Sequence, residues 1–391
     1  MNASFAALRS RLAMPMMAVA VVAALATTAL LAAARLGPGA PGTLDFDAGE
    51  LQRVLALGPW PAVPPPDPSN RVSGRPEAVA FGEVLFHSTQ LSRVQGLRCA
   101  SCHEPWRRFT DGRVTGLGAH PGKRNTPSVL NVSLQRWFGW DGANDNLWAQ
   151  SIRPMLDADE MDADPGFVAG AVRGDDRLKA MYLRTFGHAP GDDDLQVLVD
   201  AAKALAAYQE TLLSPRAPFD DFRDALLHGD RVAAAAYPLP AQRGLRLFVG
   251  RAQCVQCHSG PAFSDGRFHA SLLPGRSPAD GRAAALKRLV NSPFTLGGRF
   301  TDGGPRRPPE AAEDGAFRTP GLREVAATAP YLHDGSVAGL CDTLSPHAAP
   351  PPDVASPALS LDERNDLVAF LLTLGSDTQA PLVDPASLRC R

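Results

Sequence analysis

Cys99-Ala-Ser-Cys-His103 and Cys254-Val-Gln-Cys-His258 are the residues of this chain whose types and spacing most directly imply chemistry. In each, two thiols stand three positions apart and an imidazole follows at once, the order needed for covalent attachment of a c-type haem. Each thiol adds across one haem vinyl group, and the adjacent His is held where a ring nitrogen reaches the iron as proximal ligand. Cys99, Cys102, Cys254 and Cys257 are therefore assigned to two haems, and His103 and His258 to their irons. A zinc site would need its second ligand pair nearby, yet 155 residues separate the motifs. A redox dithiol neither requires the trailing His nor usually comes twice.

The segments around the two motifs repeat, and the repeat defines what must position each haem. Gly82-Glu-Val-Leu-Phe86 precedes the first motif and Gly244-Leu-Arg-Leu-Phe248 the second. Phe109-Thr-Asp-Gly-Arg113 and Phe263-Ser-Asp-Gly-Arg267 follow them. Further on, Arg124-Asn-Thr-Pro127 is answered by Phe317-Arg-Thr-Pro320. Thirteen residues past each Pro stands a similar tetrad, Trp140-Asp-Gly-Ala143 or His333-Asp-Gly-Ser336. Two copies of this length indicate a duplicated domain rather than a solenoid. The expected fold is mainly α: two tandem class-I-like cytochrome c domains, each with one covalent haem, and long loops. Leu195, Leu198, Val199, Ala202, Leu205, Ala206 and Leu212 keep helical spacing, and residues 361–374 read as a C-terminal helix. The Arg/Pro/Gly-rich stretch 272–316 reads as a surface excursion with a short helix over 282–289.

The 391 residues suffice for two domains of ordinary size, and 45% apolar with 20% charged residues is a globular composition. A net charge of −2 and the lack of any basic tract speak against a nucleic-acid partner. Thirty-six prolines and 35 glycines fit long loops wrapped around a bound group. Arg9 and Arg11 precede an uncharged, mostly apolar run over residues 12–34 that ends in Ala32-Ala33-Ala34. This reads as an export signal with a small-residue cleavage site, or as an uncleaved anchor. Either keeps the arginines cytoplasmic and the body outside, so the expected location is the periplasm. Residues 1–34 are thus signal or anchor, 35–75 a Pro/Gly-rich linker, 76–237 the N-terminal domain and 238–391 the C-terminal domain. Cys341 and Cys390 remain, and an oxidising compartment allows either a disulfide or two free thiols.

With the haem motifs, repeat and tetrads in place, the chain resembles the bacterial di-haem cytochrome c peroxidase family, which includes the methylamine-utilisation enzyme MauG. The resemblance covers residues 76–376. It rests on both Cys-x-x-Cys-His motifs, Arg124-Asn-Thr-Pro127, Trp140-Asp-Gly142, Glu160-Met161, Phe317-Arg-Thr-Pro320 and Ala329-Pro-Tyr-Leu-His-Asp-Gly335. It implies a peroxidatic N-terminal haem fed by the C-terminal haem. Hydrogen peroxide would be reduced to two waters with electrons from a small cytochrome c or cupredoxin. It also implies an inter-haem Trp, a Gln ten residues on and a Glu another ten on, here Trp140, Gln150 and Glu160. Splitting an O–O bond needs a proton moved from the near oxygen to the far one, which a carboxyl can do. A side-chain amide can hold the peroxide without competing for that proton. Read without the family, Glu160 would be a surface acid and Trp140 a packing residue. The resemblance further implies a calcium ion between the domains, held by the Asn125 side chain and the carbonyls of Thr328 and Pro330. Such hard oxygen donors suit calcium, although the same residues also shape turns. A homodimer is compatible with this reading.

The sixth ligand of the second haem departs from the family pattern, which implies a Met fourteen residues after the tetrad His, or a Tyr near there in MauG relatives. That position is His347, no Met follows Met181, and Tyr331 lies inside the tetrad motif. His347 is the expected ligand, against the alternative of a solvent-exposed His in a Pro-rich loop; bis-His ligation lacks the potential-raising effect of Met. His269 follows the haem motif too closely to cross easily to the other face. His120 lies in the loop where members carry a removable ligand of the first haem, and is either that ligand or a plain loop residue. Three functions stand open: a peroxide-reducing enzyme, a MauG-like oxidase acting on residues of a partner protein, and a non-catalytic electron carrier. Glu160 and Gln150 argue against the carrier, which needs no proton-handling pocket. The missing Met leans toward the MauG-like branch, while His in place of Tyr fits neither standard type.

Overall fold

Residues 42–270, 281–304, 315–344, 358–376 and 390 are described by the computed structural model of the chain, and they form helices joined by long loops. In chain order these are α1 (Ala48–Leu55), α2 (Pro76–His87), α3 (Cys99–Cys102), α4 (Leu147–Leu156), α5 (Pro165–Gly174) and α6 (Asp176–Phe186). There follow α7 (Asp194–Gln209), α8 (Pro218–His228), α9 (Arg231–Ala235), α10 (Leu239–Val249), α11 (Arg282–Asn291) and α12 (Leu361–Leu372). Local chemistry sets their starts. The Asp193 carboxylate accepts from the amides of Leu195 and Gln196 ahead of α7, and Ser360 with Glu363 forms a capping box on α12. Two short strands, β1 (Phe268–Ala270) and β2 (Ala316–Arg318), pair antiparallel with Phe268 opposite Arg318.

The sequence repeat is a repeat in space. In the first half α2 packs on α7, and in the second α10 packs on α12. Gly82 and Gly244 lie at these two crossings, where a Cβ would run into the Ala204 or the Asp366 carbonyl. Only glycine lets the helices approach so closely. Beside each crossing an aromatic pair closes the contact: Phe86 with Tyr208 at 5.3 Å, and Phe248 with Phe370 at 5.1 Å. The tetrads match as well. Phe138 bridges to Asn144 and Tyr331 to Val337, around turns with left-handed residues at Gly139 and Gly142 or at Leu332 and Gly335.

Two apolar cores result. The first gathers Phe81, Phe86, Trp148, Ile152, Val168, Tyr182, Leu198 and Leu205. The second gathers Phe219, Phe222, Leu245, Phe248, Phe263 and Phe370, and it starts well before residue 238. It also takes in Leu51, Val54, Leu55 and Leu57, so the Pro/Gly-rich stretch read as a linker contains a helix buried in the second half. Leu51, Val54 and Leu55 form a stripe at helical spacing that the surrounding prolines and glycines mask.

The 272–316 insertion differs from a surface excursion. Its helix is present as α11, but Arg282, Ala285 and Leu289 are buried, and Phe300 belongs to the first core. Lys203 of α7 donates to the Phe300 carbonyl at 2.7 Å and pairs with Asp302 at 2.5 Å. The Asp145 carboxylate accepts from Leu296 N, and Asn146 Nδ2 donates to the Phe294 carbonyl. A segment of the second half is thereby laid across the first. Cys341 and Cys390 form a disulfide, with Cα atoms 5.3 Å apart. No helix among the described residues is long and apolar enough to cross a membrane, and the 12–34 run lies outside them.

Candidate functional site

Both Cys-x-x-Cys-His motifs form a tight turn on which the His ring is aimed by the backbone that follows. His103 Nδ1 stands 3.1 Å from the Phe109 carbonyl, and His258 Nδ1 stands 3.0 Å from the Phe263 carbonyl. A carbonyl only accepts, so a proton on Nδ1 satisfies each contact, and in that tautomer Nε2 is the nitrogen able to bind a metal. Phe109 and Phe263 both adopt the left-handed conformation, at φ 58° and 55°, which turns their carbonyls back toward the imidazoles. Burial holds His103 below its ordinary pKa and so favours the neutral ring that metal binding requires.

The four motif cysteines are outside the disulfide and half-buried. Burial pushes Cys99 up to about 12, and Cys102 and Cys254 up to about 11. Cys257, Asp265 and His269 bring one ligand atom each within 4.8 Å of one another. Cys257 belongs to the second haem motif, so a thioether at this sulfur would make the cluster the edge of a haem site rather than a separate metal centre. His269 Nε2 is held by the Asp265 carboxylate at 2.8 Å.

Glu160 is brought to the first motif. Its charge is among the influences on Cys99, Cys102 and His103. It follows α4, whose Gln150 and Arg153 lie three apart and so share a face. Arg153 donates to Glu160 Oε1 at 2.5 Å, and Asn144 Nδ2 donates to Gln150 Oε1 at 2.8 Å. The loop carrying His120 packs on the same turn, through Ala119 N to the Glu160 carbonyl and His120 N to the Asp159 carbonyl. The His120 ring is 69% exposed, with Nδ1 3.4 Å from Asp159.

Trp140 lies at the junction of the halves. Its Nε1 donates to the Asn125 carbonyl at 2.8 Å, and its own carbonyl accepts from Arg318 N at 2.8 Å. Asn125 N in turn donates to the His333 carbonyl at 3.0 Å. The Phe317 ring stacks on His333 at 3.8 Å, and Arg124 stands over the same ring at 5.0 Å. The two tetrads and the two Thr-Pro segments therefore meet in one place.

Residues 76–227 match the family described as di-haem cytochrome c peroxidase. The chain is 34% identical to the methylamine utilization protein MauG of Methylorubrum extorquens, over 87% of this chain and 90% of that protein. The chain belongs to the di-haem cytochrome c peroxidase family. It is also 33% identical to the cytochrome-c peroxidase IdrP1 of Denitromonas iodatirespirans, over 81% of this chain and 86% of the relative. A solved MauG-like protein associated with microbial copper homeostasis superposes with a TM-score of 0.62 at 25% identity, covering 84% of this chain and 99% of the other. The diheme peroxidase BthA from Burkholderia thailandensis shares the fold, with a TM-score of 0.64 at 23% identity over 83% of this chain and 90% of its own.

Membership makes the chain an oxidoreductase and implies haem, and the residues present fit that group: two pairs of cysteines, each pair followed by an imidazole whose Nδ1 is engaged by a backbone carbonyl. The calcium donors fit in part. Asn125 Nδ2 is engaged by the Arg113 carbonyl at 2.9 Å, which leaves Oδ1 as the atom this side chain offers a cation. Thr328 and Pro330 lie on the segment leading to His333. His347 lies outside the described residues. Sequence reasoning did not single out Arg153, Arg282 or Arg318. The first had a signal, since it stands at helical spacing from Gln150, and Arg318 stood unremarked inside the Phe317-Arg-Thr-Pro320 motif.

Proposed function

We propose that the chain is a periplasmic di-haem peroxidase, taking hydrogen peroxide, two electrons and two protons to two waters. Electrons from a small cytochrome c or cupredoxin enter at the haem of Cys254, Cys257 and His258, and are used at the haem of Cys99, Cys102 and His103. The observation that carries this reading is Glu160, beside the first motif and backed by Arg153. Bound haem supplies the redox chemistry of O–O cleavage. Glu160 takes the proton of the near oxygen and delivers it to the far one, the Gln150 carboxamide hydrogen-bonds the peroxide, and Arg153 holds the carboxylate in orientation. Trp140 is the bridge between the haems. Asn125, Thr328 and Pro330 would hold one calcium ion at the junction, and His347 would ligate the second iron. The exposure of His120 and its pairing with Asp159 support a plain loop residue.

Steady-state turnover of the holoprotein with peroxide and a reduced small cytochrome c tests the reading. One peroxide should be consumed per two electrons. No turnover in protein carrying both haems overturns it. A second reading, a MauG-like oxidase of a partner protein, is favoured by the absence of Met after Met181 and by the identity to MauG. In that case peroxide-treated protein is discharged by the partner protein and not by the reduced cytochrome.

A further inference from the structure

The loop that carries Trp140 is held from the second half by three arginines. Its hairpin-like turn, closed by the Phe138–Asn144 bridge, points a row of carbonyls outward. Arg318 Nε donates to the Gly139 carbonyl at 3.4 Å. Arg282 Nη1 donates to the Gly142 carbonyl at 2.5 Å and to the Asp141 carbonyl at 3.3 Å. Arg288 pairs with the Asp141 carboxylate. The Arg282 guanidinium also lies between two rings, 4.2 Å from the Trp137 centroid and 4.1 Å from that of Phe268, and the residue is 0% exposed. Arg282 and Arg288 both come from α11, the helix of the insertion.

We propose that α11 is a clamp for the inter-haem path: Arg282, supported by Arg288, is a positioning residue that fixes the 139–142 loop and thereby the indole of Trp140. The inference rests on the reading of Trp140 as the bridge. A planar guanidinium suits this place, because it can stack between Trp137 and Phe268 while its N–H groups bond the edge of the loop. Lysine keeps the charge but offers neither the plane nor the fork. The indole itself is anchored in the first half through Asn125, so its orientation depends on how firmly the second half holds the turn behind it. Electron transfer through a bridge slows as the gap on either side of it widens, so a loosened 139–142 loop is read out as a lower inter-haem rate.

The test uses the holoprotein. One haem is reduced by a laser flash and redistribution of the electron between the haems is followed optically in wild type, Trp140→Phe, Arg282→Lys and Arg288→Ala. Amide hydrogen exchange over residues 138–144, haem content and melting temperature are measured alongside. The clamp predicts redistribution several-fold slower than wild type in both arginine variants, because a loosened 139–142 loop widens the gap the electron must cross. Exchange in the loop should be faster with two haems still bound, and the melting temperature should be little changed in Arg288→Ala, whose side chain is exposed. Arg282→Lys should be slowed more than Arg288→Ala. If Trp140→Phe is slow and both arginine variants stay within twofold of wild type, the clamp is overturned and Trp140 stands as the bridge. An unchanged rate in Trp140→Phe overturns the bridge and the clamp together. Should Arg282→Lys fail to fold, Arg288→Ala decides, since its side chain is 57% exposed.

Discussion

Glu160 keeps its side chain 35% exposed and paired with Arg153, whereas Glu210, at the end of α7, is mostly buried with Ser73 Oγ donating to it at 2.6 Å. The two carboxylates consequently make different predictions. Glu160→Gln should leave both haems in place and lower peroxide turnover by about 10²- to 10⁴-fold, the usual share of a general acid–base group. Turnover within a few-fold of wild type in a steady-state assay rejects the assignment. Burial, opposed by the Ser73 hydroxyl, pushes the Glu210 carboxyl up to about 7. In the folded chain it holds its proton where the unfolded chain has released it, so stability falls as pH rises from the ordinary carboxylate range through about 7. Glu210→Gln should therefore be more stable than wild type by about 1–2 kcal/mol at pH 8 and indistinguishable at pH 4, measured by urea unfolding. Residues of this kind differ in legibility. Glu160 could be found because it stands at a fixed step from Trp140 and Gln150. Arg282 could not, because an arginine that bonds backbone carbonyls leaves no paired residue type in the sequence.

Among the elements, the two helix crossings carry most of the repeat. Gly244→Ala would drive a methyl into the Asp366 carbonyl of α12, a backbone atom that can yield only if the helices separate. A loss of about 1–3 kcal/mol is expected, as for other overpacked sites, and chemical denaturation checks it. A shift below a few tenths of a kcal/mol means that α10 and α12 slide freely. The helices themselves were legible: α7 and α12 from their apolar spacing, and α11 from its start to two residues short of its end. What α11 packs against was not. Its few apolar positions, Ala285 and Leu289, look like those of any short surface helix, and the side chain that goes deepest is a charged one. Helix α1 was not legible at all, because its stripe of three apolar residues sits among the prolines and glycines of a stretch read as a linker.

For the whole molecule, neither core is a continuous piece of chain. The second needs Leu51, Val54, Phe219 and Phe222 from before residue 238, and the first needs Phe300 from the insertion. A fragment of residues 238–391 should accordingly show no cooperative thermal transition, and adding residues 42–237 as a separate chain should restore one. An independently melting fragment would show that the apolar contacts of α1 and α8 are dispensable. The duplicated motifs made the pseudo-symmetry readable, since each half repeats the same steps. The exchanged segments were invisible because they lie outside the repeat, where the two copies differ.

The position of α1 bears on how the protein is made. It precedes α12 by about three hundred residues in the chain, and both contribute to the same core. Until the last helix arrives, Leu51 and Val54 have no finished surface to cover, so α1 is among the last elements to settle. A chain cut short before α12 is left with an open second core whatever the state of its first half. Quality control that recognises exposed apolar stripes near the start of the chain would therefore be reading whether its far end has arrived.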